Sequence, residues 1–312
     1  MQVRRLVAAA LAASTLLLAA GCADDQVAGG DDTADDEGQG TVRISGQSFP
    51  EAALVASMYQ QLLENEGYEV EVKLVDTRDV YMQTFPGDVD VVPEYVGGIV
   101  DFLNTTVNGA DAEPLTTSDA AETIAAGESL LAEKQITLLE PSEATDTNAF
   151  FVTQEFSEAE GVTKLSDLEG ESVVLAAAPD CEGRSDCEGG LSEVYGIDVT
   201  KVLPLGYASA QTYQSVLDGE SQLGLTSTTD GTLESQGLVL LEDDRAIQPA
   251  QNLVPAVSTA FLEENPDVEE VLNGLMAALT TENLTELNGR VSVDQEKPED
   301  VAADFLESEG LL

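Results

Sequence analysis

The sequence has no histidine, no tryptophan and only three cysteines, and it sets twelve basic residues against sixty acidic ones over 312 positions. Each shortage excludes something. Without imidazole the chain lacks the one side chain that titrates near neutrality unperturbed, and the commonest metal ligand with it. A formal charge of −48 raises a field that repels nucleic acid and anionic lipid alike, so neither is expected as a partner. Three thiols without a histidine leave a zinc site short of ligands. No GxGxxG or Walker loop and no GxSxG elbow occurs. A secreted hydrolase working through two carboxylates is the remaining enzyme class, but among sixty acids a nearby pair is expected by chance. The sequence therefore supports no enzyme, and neither cofactor nor metal is expected.

What is present begins with an export signal. "MQVRR" is basic and "LVAAALAASTLLLAA" is an apolar run too short for a comfortable membrane span, the pattern of a signal peptide over residues 1–21. The following "LAAGC" predicts cleavage before Cys22 and a lipid on that cysteine, although Ala19 stands where Leu, Val or Ile is usual. Residues 22–40 are an acidic linker without an apolar cluster, expected to serve as a tether. The mature protein is thus placed outside the cytoplasm, held to the outer face of the cytoplasmic membrane through its lipid alone.

From residue 41 short apolar strands alternate with amphipathic helices. "TVRISG", "YEVEVKLVD", "DVDVVPEY", "SVVLAAAP", "KVLPLG", "QLGLTST" and "GLVLLED" read as strands, while "PEAALVASMYQQLLENEG", "DAAETIAAGESLLAEKQ" and "SAQTYQSVLDGE" read as helices. Two helical stretches, roughly 261–289 and 297–309, close the chain. The class is α/β with a sheet at least partly parallel, and the length suits two domains.

Cys181 and Cys187 bracket the stretch "CEGRSDC". In an exported protein two nearby thiols are most simply a disulfide. Between them Arg184 carries a planar fixed charge suited to a carboxylate. An ion pair with the surplus acids is the competing reading.

Several segments together resemble one family. "ISGQSFPEAALVASMYQQLLENEGYEVEV", "GDVDVVPEYVGGIVDFLN", "LEGESVVLAAAPDCEGRSDCEGGLSEVYGI" and "LDGESQLGLTSTTDGTLESQGLVLLEDDRAIQPAQNLVPAV" are similar, in one order, to the solute-binding proteins of ABC importers for glycine betaine, choline, carnitine and proline betaine. The resemblance implies a two-lobed periplasmic-binding-protein fold of type II, with two crossings between lobes. Lobe one would comprise residues 41–147 and 254–312, and lobe two residues 148–253. It further implies a monomer that binds a small zwitterionic solute and docks on ABC permease subunits.

Carried across by motif, the resemblance places the ligand around Arg184, Tyr95, Gln47, Asn148, Ser227, Gln251 and Gly98. In the family a box of tyrosines holds the quaternary ammonium and an arginine holds the carboxylate. Only Tyr95 keeps an aromatic here, and each absent face forgoes about 0.5–2 kcal/mol of cation–π attraction. Asn148, Ser227 and Gln251 suit a primary ammonium or a hydroxylated solute better, unless Phe150, Tyr207 or Tyr213 rebuilds the box. A binder of an amino acid, or a sensor lobe without transport, are the neighbouring alternatives.

Overall fold

The computed structural model describes residues 39–312, so the signal peptide, Cys22 and nearly all of the acidic tether lie outside the described residues. The chain runs β1 (Thr41–Gln47), α1 (Pro50–Asn65), β2 (Glu69–Val75), α2 (Arg78–Tyr81), β3 (Val91–Tyr95), α3 (Val96–Asn108), α4 (Ala120–Lys134) and β4 (Ile136–Leu138). It continues with β5 (Asn148–Thr153), α5 (Gln154–Glu160), β6 (Ser172–Ala177), α6 (Glu188–Glu193), β7 (Asp198–Pro204), α7 (Ala210–Leu217), β8 (Leu223–Ser227) and β9 (Leu238–Leu241). The last elements are β10 (Leu253–Ser258), α8 (Thr259–Glu264), α9 (Asp267–Ala278), α10 (Thr281–Ser292) and α11 (Pro298–Glu309).

These strands form two five-stranded sheets, ordered β2-β1-β3-β10-β4 and β7-β6-β8-β5-β9. Each has three parallel strands completed by two further strands, one of which runs antiparallel to both its neighbours. In the first sheet that strand is β10, which enters from the second sheet's side of the chain. In the second it is β5, reached directly from β4. Both sheets therefore turn the carboxyl ends of their parallel strands toward the two connecting segments, where open α/β sheets build binding sites.

Helices cover both faces. On one face of the first sheet α1 packs Leu54, Met58, Tyr59 and Leu63 against Leu272, Leu275 and Phe305 of the C-terminal helices; on the other, Ile99, Val100 and Leu103 of α3 meet Leu130 and Leu131 of α4. The second sheet buries Phe150, Leu175 and Leu225 with Leu191 and Tyr195 on one side, and Phe151 with Val216 and Leu233 on the other. Alternate residues of β5 thus serve opposite faces, as the two-residue period requires. Phe150 is 1% exposed within this core, so it cannot rebuild a ligand box. The stretch 261–289 is three helices rather than one. Pro266 follows the end of α8, and Thr280 caps α10 reciprocally with Asn283, its hydroxyl accepting from the Asn283 amide at 3.2 Å while the Asn283 side chain accepts from the Thr280 amide at 2.9 Å.

Candidate functional site

A cavity of about 530 Å³ opens between the two sheets. From the first sheet's side it is lined by Phe49, Pro50 and Glu51 at the start of α1 and by Asn288 and Ser292 of α10; from the second, by Tyr207, Tyr213, Ser227 and the turn Thr229–Thr232. Asp146, on the segment connecting the sheets, completes it. Pro50 suits the first helical turn because its missing amide hydrogen would be unused there, and the acid after it favours the positive end of the helix. The result is a carboxylate, Glu51, fixed at the cleft floor and only 5% exposed.

Glu51 accepts two hydrogen bonds from different elements: the Tyr95 hydroxyl donates to Oε1 and Asn288 Nδ2 donates to Oε2 at 2.6 Å. Asn288 Nδ2 also donates to the Thr229 carbonyl at 3.0 Å, which joins α10 to the turn after β8. With its amide nitrogen occupied by two acceptors, Asn288 Oδ1 is left buried with no donor. Asp146 Oδ1 is likewise buried and accepts nothing. Burial and the nearby Glu51 push the Asp146 carboxyl up to about 7, the hydroxyls of Ser227 and Thr229 acting the other way and Asp230 adding to the rise. Asp230 is better supplied: Tyr213 donates to Oδ2 at 2.7 Å, and the amide and hydroxyl of Thr232 donate to Oδ1 at 3.0 and 2.7 Å.

The aromatic walls come from both sides. Phe49 stacks on Tyr95 with centroids 6.3 Å apart, and Tyr213 rests on Phe151 at 5.4 Å. Tyr207 is 45% exposed over the acids. Burial first, then Glu51 and Asp146, raise the Tyr95 phenol well above its ordinary value, so it acts as a donor. No lysine or arginine stands among the residues lining the cavity.

The residues expected from the sequence fall into three groups. Tyr95 and Ser227 border the cleft, one beneath Glu51 and the other in its wall. Gly98 and Gln251 meet each other instead, the Gly98 amide donating to Gln251 Oε1 at 3.0 Å, so Gln251 serves the start of α3. A β-carbon at position 98 would lie 2.5 Å from Arg78 Nη2, so glycine here leaves room for that guanidinium. Arg78 itself forks onto the buried Glu94 at 2.9 Å through both Nε and Nη2, with Tyr81 donating to the same carboxylate. Gln47 ends β1 opposite Val75, half-buried.

The third group lies on and beside the loop before α6, where the disulfide is as expected and the arginine is already engaged. Cys181 and Cys187 form the disulfide, both sulfurs buried. Arg184 on that loop is already engaged: Nη1 meets Asp180 at 3.0 Å, while Nε and Nη2 fork onto Asp186 at 2.9 and 2.6 Å. Asp186 Oδ2 also accepts from Asn148 Nδ2 at 2.9 Å. Two neighbouring carboxylates thus occupy the guanidinium expected to receive the solute, and it is not among the cavity's lining residues. Sequence reasoning missed Phe49, Glu51, Asp146 and Asn288. The helix-start signal at Pro50 marks the first two; nothing local marks the others.

A wider hollow of about 950 Å³ lies around Leu233, Leu238 and α10. Its arginine, Arg290, is committed to Glu296 at 2.7 Å and Asp304 at 2.6 Å, and no aromatic side chain lines it.

The family model for the substrate-binding domain of ABC-type glycine betaine transport systems, OpuAC, matches residues 40–308. A glycine-betaine-binding protein of Pseudomonas aeruginosa is 28% identical over 285 residues, covering 87% of this chain and 89% of that one. The solved structure of apo YehZ from Escherichia coli superposes with a TM-score of 0.72 at 24% identity, covering 87% and 99%. A glycine betaine/carnitine/choline ABC transporter structure gives 0.74 at 21% identity, covering 86% and 99%. The two-lobed α/β fold of type II periplasmic binding proteins is the fold found.

Proposed function

The chain belongs to the family of substrate-binding domains of ABC-type glycine betaine transport systems, and from that premise we propose that it is an extracytoplasmic receptor which captures a small solute by its cationic head. Lobe one is assigned residues 41–147 and 254–312, lobe two residues 148–253, with Cys22 carrying the lipid and permease subunits receiving the closed form. One observation carries the reading: the interlobe cavity gathers Glu51, Asp146 and Asp230 under Phe49, Tyr207 and Tyr213 without a basic residue in its lining.

Such a surface attracts positive charge twice over. The carboxylates supply a field in a partly dry cleft, and each correctly presented aromatic face adds about 0.5–2 kcal/mol. A solute touching both walls favours closure, because only the closed form makes both sets of contacts. In this arrangement Arg184 positions Asn148 through Asp186 rather than meeting the solute. The betaines, carnitine and choline named for the relatives are the first candidates.

Thermal unfolding of the full chain with glycine betaine, carnitine, choline and ethanolamine tests the proposal. A ligand at about 100 times its Kd adds roughly 2.7 kcal/mol. The expected outcome is stabilisation by at least one cation-headed solute, lost in Tyr207→Ala and Tyr213→Ala. Stabilisation by neutral or anionic solutes alone contradicts it.

A further inference from the structure

The two unpartnered acceptors of the cleft ask for something that a quaternary ammonium does not have. Asn288 is 7% exposed, and its orientation is fixed because Nδ2 serves both Glu51 Oε2 and the Thr229 carbonyl; its Oδ1 is then left without a donor. Asp146 Oδ1, on the segment that connects the sheets, is in the same state. A buried polar atom without a partner is strongly unfavourable, and in folded proteins such atoms are rare enough to require an explanation. The hydroxyls of Tyr213 and Thr232 are committed to Asp230, those of Ser227 and Thr229 meet each other, and no basic side chain lines the cavity.

We propose that the solute supplies the missing hydrogens: the cleft takes a protonated primary or secondary amine, whose N–H groups donate to Asp146 Oδ1 and Asn288 Oδ1 beneath the aromatic walls. This deepens the reading of the cavity as the solute site and rests on it. A trimethylammonium group would still meet the acids and rings, but its methyl shell would leave both acceptors buried and unmet. An N–H-bearing head satisfies them while keeping the same charge. Among the described residues no three acidic or thiol side chains are placed to hold a metal ion, and both acceptors belong to residues that line the same cavity.

The charge environment agrees. Facing Asp146 are Glu51 from α1, Ser227 and Asp230 at the end of β8, Tyr207 ahead of α7 and Tyr95 from β3. None is a cation, so the acid is held partly protonated near neutrality until a positive ligand draws the proton off. Capture of an amine therefore releases protons, and affinity rises from about pH 5 to about pH 8.

The experiment is a calorimetric titration of the full chain at about pH 8 with one methylation series: ethanolamine, N-methylethanolamine, N,N-dimethylethanolamine and choline. Charge and hydroxyl stay constant while the N–H count falls from three to none. Affinity is expected to fall along the series, by about ten- to hundredfold from first to last. In Asp146→Asn, which keeps the shape, and in Asn288→Leu, the preference for ethanolamine should collapse. Choline binding tighter than ethanolamine overturns the inference and leaves the cationic cleft standing, as does an undiminished preference in folded Asp146→Asn. Failure of every member to saturate at millimolar concentration overturns the inference, and it overturns the reading beneath it only if glycine betaine and carnitine also fail to stabilise the chain.

Discussion

Residue by residue, the arginines among the described residues are already committed to carboxylates. Arg184 is the lesson of this scale: a scarce cation in an acid-rich chain finds carboxylates nearby, and Asp180 and Asp186 lie within four residues of it. Arg78 behaves likewise, but in a buried setting, with Glu94 only 1% exposed. Removing one member of a buried pair strands the other, at about 3–5 kcal/mol. Arg78→Met should therefore lower the denaturant-derived stability by that amount, and a loss below about 1 kcal/mol would deny the pair its structural role. Asp146 gives a second prediction. An acid held above its unfolded pKa binds protons that the unfolded chain has already released, so the unliganded protein loses stability as pH rises from the ordinary carboxylate range through about 7. Asp146→Asn should remove that slope and leave the unliganded protein more stable than the parent above neutrality. A parent and variant with parallel pH profiles would show that Asp146 is not perturbed.

At the element scale, the sequence was legible wherever periodicity and punctuation agreed. The first strand and helix show alternation, a proline start and a glycine stop, and β1 and α1 follow them. Legibility failed at α3, whose first turn contains Gly97 and Gly98, poor helix formers that are there for close approach: a β-carbon at 97 would meet the Ala250 carbonyl at 2.7 Å. It failed again at β10, where Pro255 sits within a central strand opposite Pro93 of β3, a placement that strand rules disfavour. The cleft was less legible than the fold. Asp146 and Asn288 are separated by nearly half of the chain, and nothing distinguishes either from dozens of other polar residues until the fold brings them to one cavity. Motif matching named Tyr95 and Ser227, which border the cavity, together with Gly98 and Gln251, which hydrogen-bond to each other at the start of α3.

The contact between the turn after β8 and α10 is another element-scale device. A β-carbon at Gly231 would fall 2.4 Å from the Gly289 nitrogen and 2.4 Å from the Thr285 carbonyl. Gly231→Val should therefore pry this turn from α10, breaking the Asn288–Thr229 link at the cleft edge and weakening solute binding. Unchanged solute affinity in a folded variant would show that this contact does not shape the cleft.

At the scale of the whole molecule the dominant fact is the charge of −48. Self-repulsion of this size destabilises any compact state, and salt relieves it as the screening distance shortens from about 8 Å at physiological strength to about 3 Å at 1 M. Thermal unfolding should shift upward with sodium chloride over that range. A flat or falling trend would mean that the acids are dispersed well enough to be tolerated without salt. The same field favours a positively charged solute over an anion before any contact is made, so the overall charge and the cleft act in one direction.

A crystal structure of the protein with ethanolamine or choline, whichever binds more tightly, tests the central claim most directly. The ligand nitrogen is expected beside Asp146 and Asn288, against Tyr207 and Tyr213, with the Arg184 side chain still on Asp186. A ligand seated instead on a guanidinium released from Asp180 and Asp186, with the acidic cavity vacant, would contradict it.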